Sequence, residues 1–306
     1  MCPLAGHRAG IDDQPARRSC PEFARSIVVV PELSQLLAGL GNGTMRETTV
    51  NDQAQQLTMS PEAAADTPLP AVTDRASWQA QLDQLRVREK ARTREGDAIA
   101  AARRRLPMVE VDPSTPVIGA RGQVPLADVF EGRRQLIVYF HMWHDGKPAR
   151  DQCEGCTFFN GQVSELSYLH ARDVTYATFT QGPYPEAAAY RAFMGWDMPW
   201  YSAQESADEL VAGRWFGMLV CYLRDADRVF ETYWTSGRGS EIMAPSYGLL
   251  DLTVYGRQEA FEDSPPGWPQ RWKNNGDQLR TAGRPSAQWP RLAAGRSDDL
   301  TAAPPR

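Results

Sequence analysis

The sequence has no stretch near the roughly 20 continuous apolar residues that a membrane-crossing helix needs. Its best run near the N-terminus, Ser26-Ile27-Val28-Val29-Val30, is stopped by Pro31 and Glu32. Arg17-Arg18 precedes that run, but the interruption argues against a twin-arginine export signal. No membrane role is expected, and the cytoplasm is the expected location. Positive charge is not in excess either. The formal net charge is −5, which gives no reason to expect a nucleic-acid partner. A P-loop, a dinucleotide-binding glycine motif and a serine nucleophile elbow are all absent, which argues against nucleotide cofactors and hydrolase chemistry. No cofactor is expected. Cysteine is scarce: Cys2, Cys20, Cys153, Cys156 and Cys221 are odd in number and scattered, unlike a secreted disulfide framework.

Apolar residues make up 42% of 306, low for a chain that is globular throughout, and proline and glycine concentrate at the two ends. Residues 1–72 read as a disordered or mis-assigned N-terminal extension, with Met45 and Met59 as alternative starts. Residues 73–257 read as the core domain. Residues 258–306 read as a mostly disordered tail, with Trp268 and Trp272 as anchors for part of it.

Within the core, Ser77 to Arg105 has helical character. Trp78, Leu82 and Leu85 make one apolar stripe, and a dense run of charge forms a solvated face. Pro107 ends that helix. Met108 to Val111 is a short extended piece, and Leu126 to Phe130 a helical turn. Gln135 to Met142 is almost uninterruptedly β-branched, aliphatic or aromatic, the signature of a buried strand. A charged loop leads to Cys153-Glu154-Gly155-Cys156. Phe158 to His170 reads as a helix, Val174 to Phe179 as a strand, and Tyr184 to Met194 as a helix capped by Gly195. Met218–Leu223 and Val229–Tyr233 read as a hairpin turning at Asp225-Ala226-Asp227. Leu249 to Tyr255 closes the ordered part. Strand–helix alternation followed by a hairpin predicts an α/β chain with a mixed central sheet flanked by helices. A CxxC after the first central strand, opening the next helix, is the thioredoxin arrangement.

The residues also resemble a bacterial family of thioredoxin-like domains of unknown function, DUF899. The resemblance rests on Arg103-Arg104-Arg105-Leu106-Pro107-Met108, Leu126-Ala127-Asp128-Val129-Phe130-Glu131-Gly132-Arg133 and Gln135-Leu136-Ile137-Val138-Tyr139. It continues through Cys153-Glu154-Gly155-Cys156, Ala171-Arg172-Asp173-Val174, Met194-Gly195-Trp196, Thr232-Tyr233 and Leu249-Leu250-Asp251-Leu252-Thr253, from about Ala76 to Gln258. It implies a thioredoxin-like fold and, by analogy, dithiol–disulfide chemistry, with no substrate attached. The chain departs from the family pattern between Ser202 and Phe216, where an aromatic, acidic run is missing. It departs again at Thr157-Phe158-Phe159-Asn160.

The CxxC suggests the chemistry. Unpaired N–H groups at a helix N-terminus favour a thiolate, and the reactive thiol of such motifs falls to about 3.5–7.5. Cys153 is the expected attacking residue and Cys156 the resolving one, acting on a protein or small-molecule thiol or disulfide substrate. Lys147 and Arg150 upstream favour the anion, and Glu154 opposes it. Two further signatures are missing. Phe216-Gly217-Met218 has no proline where thioredoxins place theirs, and Gly146 and Arg150 stand where peroxiredoxins need proline and threonine. The alternative is a zinc-stabilised or non-catalytic binding module. His141 and His144 with Cys153 and Cys156 supply four zinc-type donors, although residues three apart on a strand face opposite ways. Trp143 reads as a core aromatic or a lid over the sulfurs. Cys221 reads as a small apolar packing residue. Arg238 and Arg257 read as ligands for an acidic group or for backbone carbonyls.

Overall fold

In the computed structural model, residues 67–273 and 275–301 are described. Cys2, Cys20, and residues 1–66 of the expected N-terminal extension lie outside them.

The chain enters through helix α1 (Arg75–Arg103), whose start is set by Asp74. The Asp74 carboxylate accepts the N–H groups of Ala76 and Ser77, relieving two of the donors a helix start leaves open. The Trp78 and Leu85 stripe faces solvent, because no residue of α1 is buried. Strands β1 (Val109–Val111), β2 (Pro116–Gly119) and β3 (Gly122–Pro125) follow, then a turn of helix α2 (Leu126–Val129) and the central strand β4 (Gln135–His141). The β2–β3 hairpin is not foreshadowed by any apolar alternation.

The CxxC opens α3 (Glu154–Gly161). The helix expected from Phe158 to His170 is broken into α3 and α4 (Ser167–His170). Then come β5 (Val174–Thr180), α5 (Tyr184–Met194), β6 (Trp200–Ser202) and α6 (Ala207–Val211). Gly195 ends α5 in the left-handed conformation, φ 68°, as expected of a C-terminal glycine cap. The hairpin β7 (Met218–Asp225) and β8 (Arg228–Ser236) is longer than the sequence suggested, and α7 (Pro245–Leu250) follows it.

The sheet runs β1-β8-β7-β4-β5-β6-β2-β3. Strand β4 is parallel to β5 and antiparallel to β7, and β7 is antiparallel to β8. A central strand, a dithiol helix, a parallel neighbour and then an antiparallel hairpin make this a thioredoxin-like α/β fold with a mixed sheet. Residues alternate across the sheet, so β4 feeds two cores. Leu136, Val138 and Phe140 enter one with Phe130, Phe179 and Val220. Tyr139 enters the other with Cys153, Cys156, Tyr190, Trp196 and Trp200.

The segment after residue 257 corrects the expected tail. It carries a small hairpin, β9 (Arg280–Thr281) with β10 (Arg284–Pro285), and helix α8 (Trp289–Ala293). Gln288, Trp289 and Leu300 are buried. Its order comes from side chains docking on the core, which a composition rich in proline, glycine and arginine does not signal.

Candidate functional site

The site lies where the C-terminal end of β4 meets the start of α3. Met142, Trp143 and His144 leave the strand, and a short helical turn at Ala149–Asp151 brings the chain to Cys153. Cys153 is itself the cap of α3: its Sγ accepts the Cys156 N–H at 3.3 Å. The side chains of Thr157 and Tyr190 brace the turn. Thr157 Oγ1 donates to the Cys153 carbonyl at 2.7 Å and meets the Tyr190 hydroxyl at 2.7 Å. Gln288, arriving from the C-terminal segment, donates to both the Tyr190 hydroxyl and the Ala149 carbonyl at 2.8 Å.

The two thiols are free and differ sharply. Cys153 is 7% exposed and Cys156 1%. A hydrogen bond from the Cys156 thiol lowers the Cys153 thiol to about 7, against burial and the Glu154 charge, and the backbone N–H groups of Cys156 and Gly155 add to the lowering. Burial pushes the Cys156 thiol well up, and its bond to Cys153 adds to this. The Cys156 sulfur accepts the Met142 N–H at 3.3 Å and a hydrogen bond from the Tyr139 hydroxyl. The electrostatics thus split the pair into an outer thiol prepared to ionise and an inner thiol kept protonated.

The expected cations are arranged differently. Arg150 points at the neighbouring Asp151 from an exposed position, 3.7 Å away. The cation nearest the motif's own carboxylate is Arg280, whose Nη2 lies 2.9 Å from Glu154 Oε2. Nothing in the local sequence around Arg280 points to this, because the contact spans 126 residues.

The zinc arrangement is not formed. His141 is fully buried, with Nδ1 2.7 Å from the Met142 carbonyl and its ring among Trp143, Tyr190, Trp196 and Trp200. Burial lowers it to about 3, which keeps it neutral. His144 Nδ1 turns to the Asp151 carbonyl instead. Among the described residues, no group of three or more His, Cys, Asp or Glu side chains converges on a metal-sized site. The two histidines part because β4 ends at His141, which stays in the core, while His144 lies in the loop beyond it.

The remaining candidates are structural. Trp143 is buried, donating from Nε1 to Glu186 at 3.0 Å. Cys221 is half-buried, and burial pushes its thiol up to about 11. Arg238 bonds Glu241 at the surface. Arg257 pairs with Asp251 and Glu241 and lies over the Tyr247 ring. Where thioredoxins carry a proline, Gly217 stands at φ 92° and donates to the Phe140 carbonyl.

Against known proteins, the family model described as "Bacterial protein of unknown function (DUF899)" matches residues 67–279. The chain belongs to the DUF899 family. No curated protein matches it. Two solved structures are similar to this family member. One is a "putative Thiol:disulfide interchange protein DsbE" from Chlorobium tepidum, 14% identical, covering 45% of this chain and 93% of that one at a TM-score of 0.30. The other is a "putative electron transfer protein" from Aquifex aeolicus VF5, 12% identical, covering 45% and 97% at a TM-score of 0.30. Among the described residues of this DUF899 chain, no helix is long and apolar enough to cross a membrane.

Proposed function

We propose that the protein is a thiol–disulfide oxidoreductase that works through Cys153 and Cys156. The observation that carries this reading is the asymmetry of the pair. One thiol caps a helix, accepts an N–H and is lowered to about 7. The other lies behind it, 1% exposed and raised. A thiol at a helix start that accepts a backbone N–H, with a more deeply buried partner behind it, is the arrangement an attacking and a resolving cysteine need.

In the reducing direction, the Cys153 thiolate attacks one sulfur of a substrate disulfide. The substrate S–S bond breaks, a mixed disulfide forms on Cys153, and the other substrate sulfur leaves as a thiolate that takes up a proton. Cys156 then loses its proton and attacks the Cys153 sulfur. The Cys153–Cys156 disulfide forms, and the second substrate sulfur leaves with that proton. Two electrons have passed to the substrate, and a thiol reductant returns two to the motif. The partner is a disulfide-bearing protein or small molecule, and the compartment is the cytoplasm, where thiol pools keep such a motif reduced.

The test is alkylation mass spectrometry of the full chain across glutathione redox buffers. Cys153 and Cys156 are expected to convert together at one midpoint within the cellular range of potentials. Cys156→Ser is expected to accumulate a mixed disulfide on Cys153. If the wild-type pair never couples in any buffer, the chain keeps the fold as a binding module without turnover.

A further inference from the structure

The C-terminal segment reaches the dithiol through one side chain. Arg280, at the start of β9, donates from Nε and Nη2 to Glu154 Oε2 at 3.2 and 2.9 Å. Its Nη2 also donates to the Gln152 carbonyl at 3.1 Å. Its Nη1 donates to the carbonyls of Arg150 and Gly283 at 2.9 and 3.1 Å. One planar guanidinium therefore holds the carboxylate inside the CxxC, two carbonyls of the loop that presents Cys153, and its own hairpin. Only arginine has a fork of donors able to span such a set.

The opposite side of the Glu154 carboxylate is closed by the same segment. Gly276 stands at φ 93°, and a Cβ there would collide with Glu154 Oε1. Glu154 is thus gripped between Gly276 and Arg280 and left 26% exposed. Left without Arg280, its charge would stand unopposed one residue from the attacking sulfur. Arg280 is also the first residue beyond the family match, which ends at 279.

We propose that Arg280 is a positioning residue for the dithiol: it neutralises Glu154 and ties down the Arg150–Gln152 loop, so that the C-terminal segment sets the reactivity of Cys153. This rests on the oxidoreductase reading above. The other ionisable groups facing the Cys153 sulfur are Cys156, Tyr139 and Tyr190, all buried in the core. None of them is altered by the substitutions below.

The measurement is the pH dependence of Cys153 alkylation in the reduced full chain. Arg280→Met is expected to move the midpoint up by about 0.5–1 pH unit, the scale on which a neighbouring charge acts. Adding Glu154→Gln to Arg280→Met is expected to bring it back, since the unopposed carboxylate is then gone. Restoration by a second substitution is something a merely structural role would not produce. An unchanged midpoint in Arg280→Met, or no recovery in the double variant, overturns the proposal. Arg280→Lys covers the case in which Arg280→Met does not fold. Lysine keeps the charge but cannot span four acceptors, so hydrogen exchange over residues 149–156 is expected to quicken several-fold with the midpoint nearly kept. Unchanged protection in Arg280→Lys overturns the loop-tying role. The alkylation midpoint needs no turnover. A wild-type pair that never couples in glutathione buffers would therefore remove the oxidoreductase reading while leaving this comparison intact.

Discussion

Strand β4 serves two unlike halves of the molecule. Toward one face of the sheet it sends Leu136, Val138 and Phe140 into a core that is almost wholly aliphatic and phenyl. Toward the other it sends Tyr139, alongside Cys153, Cys156, Tyr190, Trp196 and Trp200. His141, at the strand's end, joins the rings of that second half. The first face holds the sheet together by burial of apolar surface, which is non-directional and tolerant of detail. The second is built from polar atoms that need specific partners, and some have none in the protein. His141 Nε2, Trp196 Nε1 and Trp200 Nε1 are buried without a hydrogen bond. All three belong to the side of the sheet that carries the thiols. One face is packed from apolar groups, and the other carries the thiols among polar side chains.

The comparison is sharpened most by removing a ring from the inert face. Phe140 is completely buried between Phe179 and Phe216. Phe140→Ala is expected to cost about 3–5 kcal/mol in denaturant unfolding. The pH midpoint of Cys153 alkylation should stay where it is, and a shift in that midpoint would break the separation of the two faces.

The next effect belongs to the polar face. His141 is ordinarily protonated near 6.5 and here is lowered to about 3 by burial. The unfolded chain therefore binds a proton between those values and the folded chain does not. The stability held above pH 6.5 is lost as the pH falls toward 3, at about 1.4 kcal/mol per pH unit. His141→Phe is expected to flatten the pH dependence of the urea midpoint over that range. An equally steep profile in the variant would assign the acid sensitivity to other groups.

The smallest effect tests the link to the C-terminal segment. Tyr190→Phe keeps the ring and removes the hydroxyl shared by Thr157 and Gln288. The expected loss is about 1–2 kcal/mol. Limited proteolysis after residue 257 should accelerate, because Gln288 then keeps only the Ala149 carbonyl as a partner outside its own segment, its other bond being to Arg284. Unaltered proteolysis would show that the segment is held by its apolar contacts and the Arg280 bonds without help from the Tyr190 hydroxyl.

Much of the fold could be read locally. The β4 run, the Gly195 cap of α5 and the β7–β8 hairpin are recorded in neighbouring residues, through side-chain periodicity and turn chemistry. The placing of Cys153 and Cys156 together at a helix start was legible for the same reason, since a four-residue motif at a helix N-terminus is a local object. Strand β6 was not legible: Trp200–Ser202 is a strand only because β5 and β2 lie on either side of it. The segment from 258 to 301 was misread for a related reason. Its elements are short, and what orders them is contact with the core rather than periodicity.

By itself the sequence determined helices α1 and α5, the strands β4, β5, β7 and β8, and which two sulfurs stand together at a helix start, because those follow from contacts within a few residues. Only the tertiary structure decided what surrounds the sulfurs. It sent His141 into the aromatic core and His144 to the Asp151 carbonyl, and it laid Tyr139 against Cys156. It also carried Arg280 across 126 residues to Glu154. Electrostatic and hydrogen-bonding partners act through space, and their distance along the chain leaves no mark in the local pattern.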